Sequence, residues 1–566
     1  MKGKILAVGI LIFWFLFMES HAQNLISNSR QLQEYLRRSQ LTEDWGYLCP
    51  SFNYRPFHTD SLLGLDQIIL ANNQEKNYKK IKVAVLPIFQ TLKWNPDRPY
   101  GWGDGPMIPA VGLQSYTSTG FYAKFSLLKI QIQPELVLAQ NSSFQGFGLN
   151  RTRGQILDRF RFYNFDDSPE LFGQGGYTNL SWGQSKVSLE VGAFEAGIST
   201  QNIWWGPGQF NGLIFSNNAE GFPHLTLNTI RPAKTFMGNF EGQILMGRLE
   251  NSGFGPTQFE ELNELYFRPF TGDWRYLNGL TISYNPKWIP GLFVGMSRTF
   301  QQYSEFMGND FRSYFPIFEV FQKEGLFENG NTVEYDNQGT DQQVALFGRL
   351  LIPKAQAEVY FEYGRRDHAF NWREAILNPE HARAYLLGFS KLVQLSDLDK
   401  TLQIRGEITH QQESVNRYLR YPGLLGGASW QTHNAARGFT NFGQPLGVGI
   451  GTGSNVQTLE VSLVEKFNKM GILLERLENH QDFYYRAFGQ QKVYKPWVDL
   501  SLGFLFDKQW NNLILSSKLQ LINGMNYQWQ LHENSTPDFP QGKNLFSIHS
   551  QVSLIYLPHN LFKGAR

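Results

Sequence analysis

Beyond Tyr78 apolar and polar residues alternate with a period of two. In 129–139, Ile130, Ile132, Leu136 and Leu138 alternate with Gln131, Gln133 and Glu135. In 186–193, Val187, Leu189 and Val191 alternate with Ser188, Glu190 and Gly192. Val359, Phe361 and Tyr363 alternate with Glu358, Tyr360 and Glu362, and Leu402, Ile404 and Ile408 with Gln403, Arg405 and Glu407. Near the end, Leu513, Leu515, Leu519 and Leu521 do so with Ser516, Lys518 and Gln520. Successive strand side chains point to opposite faces, so each segment is a strand with one apolar and one polar face.

That pattern fits a β-sandwich as well as a barrel, and connection length separates them. Short turns are expected near 127–128, 182–185, 286–291, 353–356, 396–400, 468–471 and 508–512. Between them lie long Gly, Pro and Asn-rich stretches, among them 96–114, 141–177, 302–341, 365–383, 411–455, 480–496 and 524–544. Short turns alternating with long loops are the habit of an outer-membrane barrel, with tight periplasmic turns and extended outer loops. Only a closed barrel satisfies strand backbone groups in hydrocarbon, so the apolar face meets lipid and the polar face the lumen. The fold class is all-β, a transmembrane outer-membrane barrel of about 18 antiparallel strands, within a range of about 16 to 20.

The period is helical before the barrel. Asn28-Ser29 can cap a segment in which Leu32, Tyr35, Leu36 and Leu41 recur at helical spacing, and Leu62, Leu65, Ile69 and Leu70 mark a second one. Met1-Lys2-Gly3-Lys4, an apolar block from Ile5 to Met18, and small residues at Ser20 and Ala22 form a secretory signal peptide cleaved after Ala22. The expected organisation is a leader over 1–22, a short periplasmic helical region over 23–76 and the barrel over 77–566, with the protein in the cell outer membrane.

Composition narrows the partners. Aromatic residues are 15% of the 566 residues, charged residues 18%, and 51 basic face 49 acidic side chains. A near-neutral chain with no long basic run offers nucleic acid no footprint. The aromatic excess suits girdles at the two membrane interfaces. The single cysteine, Cys49, excludes an internal disulfide framework. The eleven His are scattered without H-E-x-x-H spacing, so no metal and no cofactor is expected. Asp166-Asp167 and Glu260-Glu261 are adjacent pairs that point apart on a strand, which argues against glycoside hydrolysis. Gly447 to Gly453 has the wrong spacing for a phosphate loop. No catalytic residue is assigned.

Several blocks, in one order, resemble the Wzi-type capsule assembly family, particularly its Bacteroidetes-like branch. They are Pro99 to Pro109 with Gly112-Leu113-Gln114 and Gln133-Pro134-Glu135-Leu136, and Trp204-Trp205-Gly206-Pro207-Gly208 with Ser216-Asn217-Asn218-Ala219 and Phe222-Pro223-His224. Then come Glu362-Tyr363-Gly364-Arg365, Glu380-His381-Ala382-Arg383-Ala384-Tyr385 and 447–455. The resemblance implies an 18-stranded barrel preceded by periplasmic helices, a role in organising capsular polysaccharide, and no catalysis. Two departures stand out: Thr440-Asn441-Phe442 precedes Gly443-Gln444, where the family pattern has His and Arg, and the chain ends on Arg566 instead of an aromatic residue.

The candidate polysaccharide contacts are Trp204, Trp205, Arg365, Arg366, His381, Arg383, Arg151 and Arg153. Paired indoles on a Gly-Pro-Gly turn can stack on sugar rings, or pack as an internal turn. Arg365, Arg366 and Arg383 can meet uronic-acid carboxylates or the phosphates of lipopolysaccharide, or bridge to Glu358 and Glu362 inside the barrel. Arg151, Arg153, Arg159 and Arg161 alternate with Phe160, Phe162 and Tyr163, which suits an anionic glycan or a loop folded into the lumen. The expected function is a non-enzymatic barrel that binds or organises surface polysaccharide in capsule assembly. Expected partners are capsular or extracellular polysaccharide, outer-membrane lipid and lipopolysaccharide, and a periplasmic or export-machinery protein. A porin or solute transporter is the alternative, and a barrel enzyme acting on lipid or glycan lacks a nucleophile and base within reach of each other.

Overall fold

A computed structural model describes residues 29–42, 50–56, 81–148, 150–270, 272–318, 340–366, 376, 379–380, 382–395, 400–414, 429–489 and 491–558. The expected leader, Cys49, the second helical segment, His381 and the chain end lie outside these residues.

Eighteen staves form one wall among the described residues. The first four are each broken once: β1 (Ile81–Val85 and Ile88–Asn95), β2 (Gly112–Ser118 and Phe121–Phe125), β3 (Leu128–Ile132 and Glu135–Ala139) and β4 (Tyr177–Ser181 and Lys186–Val191). Next come β5 (Phe194–Ser199), β6 (His224–Thr229), β7 (Gly238–Leu249), β8 (Arg275–Pro286), β9 (Leu292–Tyr303) and β10 (Asp341–Ile352). The wall continues with β11 (Ala357–Arg366), β12 (Arg383–Gln394), β13 (Thr401–His410) and β14 (Asn455–Glu465). It ends with β15 (Asn468–Glu478), β16 (Val498–Trp510), β17 (Leu513–Met525) and β18 (Leu545–Tyr556). Each stave pairs antiparallel with its neighbour, and β18 returns to β1 through Gln551↔Lys93 and Ile555↔Phe89, closing the barrel.

The breaks have local causes. Pro134 interrupts β3 because it has no N–H to give the ladder. Gly120 interrupts β2 where a Cβ would come 1.9 Å from the Ile132 carbonyl oxygen. Two expected turns move. Residues 182–185 are the break within β4, and the tight turn that follows lies at Gly192-Ala193. Asn468 to Gly471 already belongs to β15, the turn being Lys466-Phe467. The period-two pattern runs on through a one- or two-residue turn, which is why sequence displaced it.

The alternation sets the two faces. On β11 Glu358 is 0% and Glu362 2% exposed, whereas Val359 is 47% and Phe361 48% exposed. The same rule puts Leu189, Leu225, Leu346, Leu387, Leu459 and Phe504 on the outside. An apolar band around a closed wall with a polar interior is the signature of a barrel in lipid.

The lumen is filled at the end where the short turns lie. Ser29 accepts the Leu32 N–H and caps helix α1 (Arg30–Leu41). Its apolar side, Leu32, Tyr35 and Leu36, packs on Phe52, Phe467, Ile514 and Ile555. Its polar side meets the wall: Arg37 Nε donates to Glu358 Oε1 at 2.7 Å, and Glu34 accepts from Arg405 at 3.0 Å and Lys469 at 2.9 Å. Burial alone would raise the Glu34 carboxyl, but Arg405 and Lys469 beside it hold it well below the usual carboxylate range. Helix α1 thus stoppers the mouth of the barrel. Removing one partner of such a buried pair costs roughly 3–5 kcal/mol.

Candidate functional site at the inserted and outer loops

Residues 200–223, between β5 and β6, turn into the lumen, and two wall carboxylates hold them. Glu362 accepts the Gly208 and Leu213 N–H groups, each at 2.9 Å. Glu407 accepts those of Gln209 at 2.7 Å and Asn211 at 2.8 Å, and the Tyr360 hydroxyl at 2.9 Å. Gly206 sits at φ +96, where a Cβ would lie 2.3 Å from Glu362 Oε1, so the turn needs glycine on both counts.

The paired indoles are consequently internal. Trp204 and Trp205 pair with Arg55 and Tyr54 as a two-stranded sheet inside the barrel. Arg55 lies over the Trp204 ring at 4.4 Å, and Trp205 Nε1 donates to Gln243 at 3.0 Å. Trp205 is 1% exposed and joins a core with Leu213, Phe215, Leu277, Tyr360 and Trp430. Neither indole offers an open face to a sugar ring. The 429–454 loop descends into the same core through Phe439, Leu446, Val448 and Ile450.

The arginines divide. Arg366 is buried, with a two-pronged contact to Asp341 at 2.8 and 2.5 Å and a 3.0 Å bond to the Trp430 carbonyl. It pins the 429–454 loop to β10 and β11, a structural duty, and its partner is Asp341 instead of the expected Glu358 or Glu362. Arg365 is buried on the outward face of the same stave. Arg383, half-buried at the start of β12, lies over the Tyr385 ring at 5.2 Å and contacts His410 Nδ1 at 3.3 Å. The chain therefore parts Arg366 from Arg365 and Arg383.

Arg151 and Arg153 belong to a cap made by the outer loops. Thr152 and Gln155 form a capping box that starts α2 (Arg153–Tyr163). Arg486 of a second helix, α3 (Gln481–Ala487), pairs with Asp158 of α2 at 2.6 Å. Phe147, Phe160, Phe162, Phe483, Phe488 and Trp529 fill the space between them. Arg151 ties this cluster to the Gln528 and Trp529 carbonyls, and Arg159 stacks over Tyr163 at 4.4 Å. Arg153 is exposed at the helix start.

Asp166 and Asp167 lock three loops together. Asp166 accepts from Thr452 and, at 3.1 Å, from Ser168, whereas Asp167 accepts the Ser252 N–H at 2.7 Å. Burial pushes the Asp166 carboxyl up to about 6, against the pull of those hydroxyls, and the charge of Asp167 adds to the rise. A cavity of about 210 Å³ beneath the cap is lined by Arg159, Tyr163, Asp166, Thr452, Trp497 and Trp529. Sequence reasoning missed Phe483, Trp497 and Trp529; their density of aromatic residues in 483–497 and 527–529 was the available signal. Among the described residues no group of three or more His, Cys, Asp or Glu is placed to hold a metal ion.

The family model for capsule assembly protein Wzi matches residues 112–513. No curated protein matches the chain in sequence. Among solved structures, the barrel is similar to Wzi of Escherichia coli, an outer-membrane protein involved in group 1 capsule assembly and described as a carbohydrate-binding β-barrel. The TM-score is 0.55 at 12% identity, covering 95% of this chain and 100% of that one. OccAB2 of Acinetobacter baumannii gives a TM-score of 0.39 at 8% identity, over 84% of this chain and 97% of that one. OpdQ of Pseudomonas aeruginosa gives 0.37 at 8%, with the same coverage. Scores of this size support nothing beyond a general likeness.

Proposed function

Because the chain belongs to the Wzi capsule assembly protein family, we propose that it binds or organises capsular polysaccharide at the outer-loop end of an outer-membrane barrel, without catalysing a reaction on it. The observation that carries this reading is the loop packing. A wall of this size could hold a wide channel, yet residues 200–223 and 429–454 pack a hydrophobic core across one side of it. Loops spent on sealing and tying one another serve a scaffold better than a passage. Aromatic walls and a carboxylate around the cap cavity suit one sugar ring of a chain, and exposed Arg153 suits its acidic substituents.

Residues 1–22 are assigned to export, and the α1 end of the barrel to a periplasmic or export-machinery partner. Outer-membrane lipid and lipopolysaccharide are assigned to the wall. The test is deletion in an encapsulated strain, measuring cell-attached against shed capsule, with complementation by the native chain and by Trp497→Ala. The expected result is shed capsule on deletion and partial rescue by Trp497→Ala; unchanged retention on deletion sinks the reading. Purified protein in a planar bilayer should be electrically quiet, and a large steady conductance would favour a porin.

A further inference from the structure

The outward wall between β11 and β16 carries a groove that glycan binding leaves unused. It holds about 690 Å³ and is lined by Val359, Phe389, Gly406, Ile408, Leu459 and Leu474. Val359, Phe389, Gly406, Leu459 and Leu474 are register neighbours from stave to stave, so the groove crosses the strands for about 19 Å. Gly406 makes the dent: a Cβ there would meet the Phe389 ring at 2.5 Å.

At the long-loop end of this groove the outward face turns cationic. Gln457 and Arg476 are register partners, Arg476 having a half-exposed side chain paired with Glu478 at 2.6 Å. One strand-step above Leu387 comes Tyr385, stacked on His410 with ring centroids 4.8 Å apart, and then Arg383, register partner of Arg365. A guanidinium facing lipid is costly at mid-membrane and cheap only at the interface with an anion to meet. With five donors, Arg476 can keep Glu478 and still take a phosphate oxygen.

We propose that this face is a site for an acylated lipid of the outer leaflet bearing two phosphates, one acyl chain lying in the groove and one phosphate each on Arg383 and Arg476. The site rests on the wall's place in the outer membrane and is independent of the polysaccharide reading. Apolar side chains and a glycine dent exclude headgroup atoms from the groove, and arginine is the side chain of choice for phosphate.

The test uses the purified full-length protein, stripped of lipid and returned to phosphatidylcholine vesicles containing bisphosphorylated lipid A, with retained lipid counted by native mass spectrometry. The double variant Arg383→Glu, Arg476→Glu should lose retention about tenfold. Leu459→Trp, which fills the groove and leaves the charges alone, should also lower it. Arg248→Glu, an exposed cation at the end of β7, should not. Undiminished retention in the double variant and in Leu459→Trp, equal loss in Arg248→Glu, or equal binding of dephosphorylated lipid A would overturn the site. So would full displacement by inorganic phosphate, which would indicate a free-phosphate site. Cells carrying Leu459→Trp should keep their capsule; capsule lost in the double variant with unaltered lipid retention would assign these arginines to glycan instead.

Discussion

The two sides of the lumen are built on opposite principles. Against β7 to β15 the inserted loops pack Trp205, Leu213, Phe215, Leu277, Leu446 and Val448 into one apolar core. Against β1 to β5 and β18 the wall keeps a polar cavity of about 230 Å³, lined by Lys129, Gln133, Glu135, Lys186, Ser188 and Gln551 and roofed by Gly103 to Met107. The roof is latched by Lys93 on Asp104 at 2.7 Å. The difference teaches that period-two alternation fixes which residues face inward, but what fills the interior is decided by the long connections. The 200–223 and 429–454 segments carry apolar side chains to one side only.

Trp205→Ala should have the largest effect, because it empties the centre of the packed side. The expected cost is about 3–5 kcal/mol, read as a lowered unfolding temperature in detergent. A wild-type melting curve for this variant would break the distinction between the two sides. Next comes pH. The Asp166 carboxyl, which ties the cap to the packed side through Thr452, is raised from its ordinary 3.8 to about 6. The folded chain holds this proton more tightly than the unfolded one. Its stabilising contribution is therefore complete below about pH 4 and lost as pH rises through about 6, amounting to roughly 3 kcal/mol. Asp167 and Glu170, also raised chiefly by burial, act in the same direction. Protease nicking of the outer loops should increase across that window, and Asp166→Asn should flatten the dependence.

A smaller effect sharpens the comparison. Ala384→Phe, in the fully buried core, should cost about 1–3 kcal/mol through overpacking. Ser553→Phe, pointing into the polar cavity, should cost only about 1 kcal/mol, for its lost 2.9 Å hydrogen bond with Thr91. Paired melting curves of the two variants decide it, and equal losses would mean that the polar side is as tightly filled as the other.

The wall was legible in the sequence because lipid and lumen impose opposite polarity on successive residues. The segments containing Ile130 and Leu138, Val187 and Leu189, and Val359 and Phe361 all became staves with the expected faces. The interior was legible only in part. Trp204-Trp205 reads in sequence as a sugar platform, yet what governs it is Glu362 and Glu407, more than 150 residues downstream and visible only once β11 and β13 stand in one wall on either side of β12. Leu446, Val448 and Ile450 lie in a Gly-rich stretch that reads as an outer loop; their alternate spacing was the available sign of a buried run. Arg366 and Arg365 are neighbours in sequence and opposites in place, one on Asp341 in the lumen and the other on the outward face.

None of the ladder bonds from β1 round to β18 passes through α1, so the stopper and the cylinder are separable parts. A tube of this girth is obstructed twice, by the 12 residues of α1 wedged in one opening and by the 200–223 and 429–454 loops deeper in. Counting staves therefore says nothing about traffic across the membrane, and trimming the helical wedge alone leaves the inner obstruction in place.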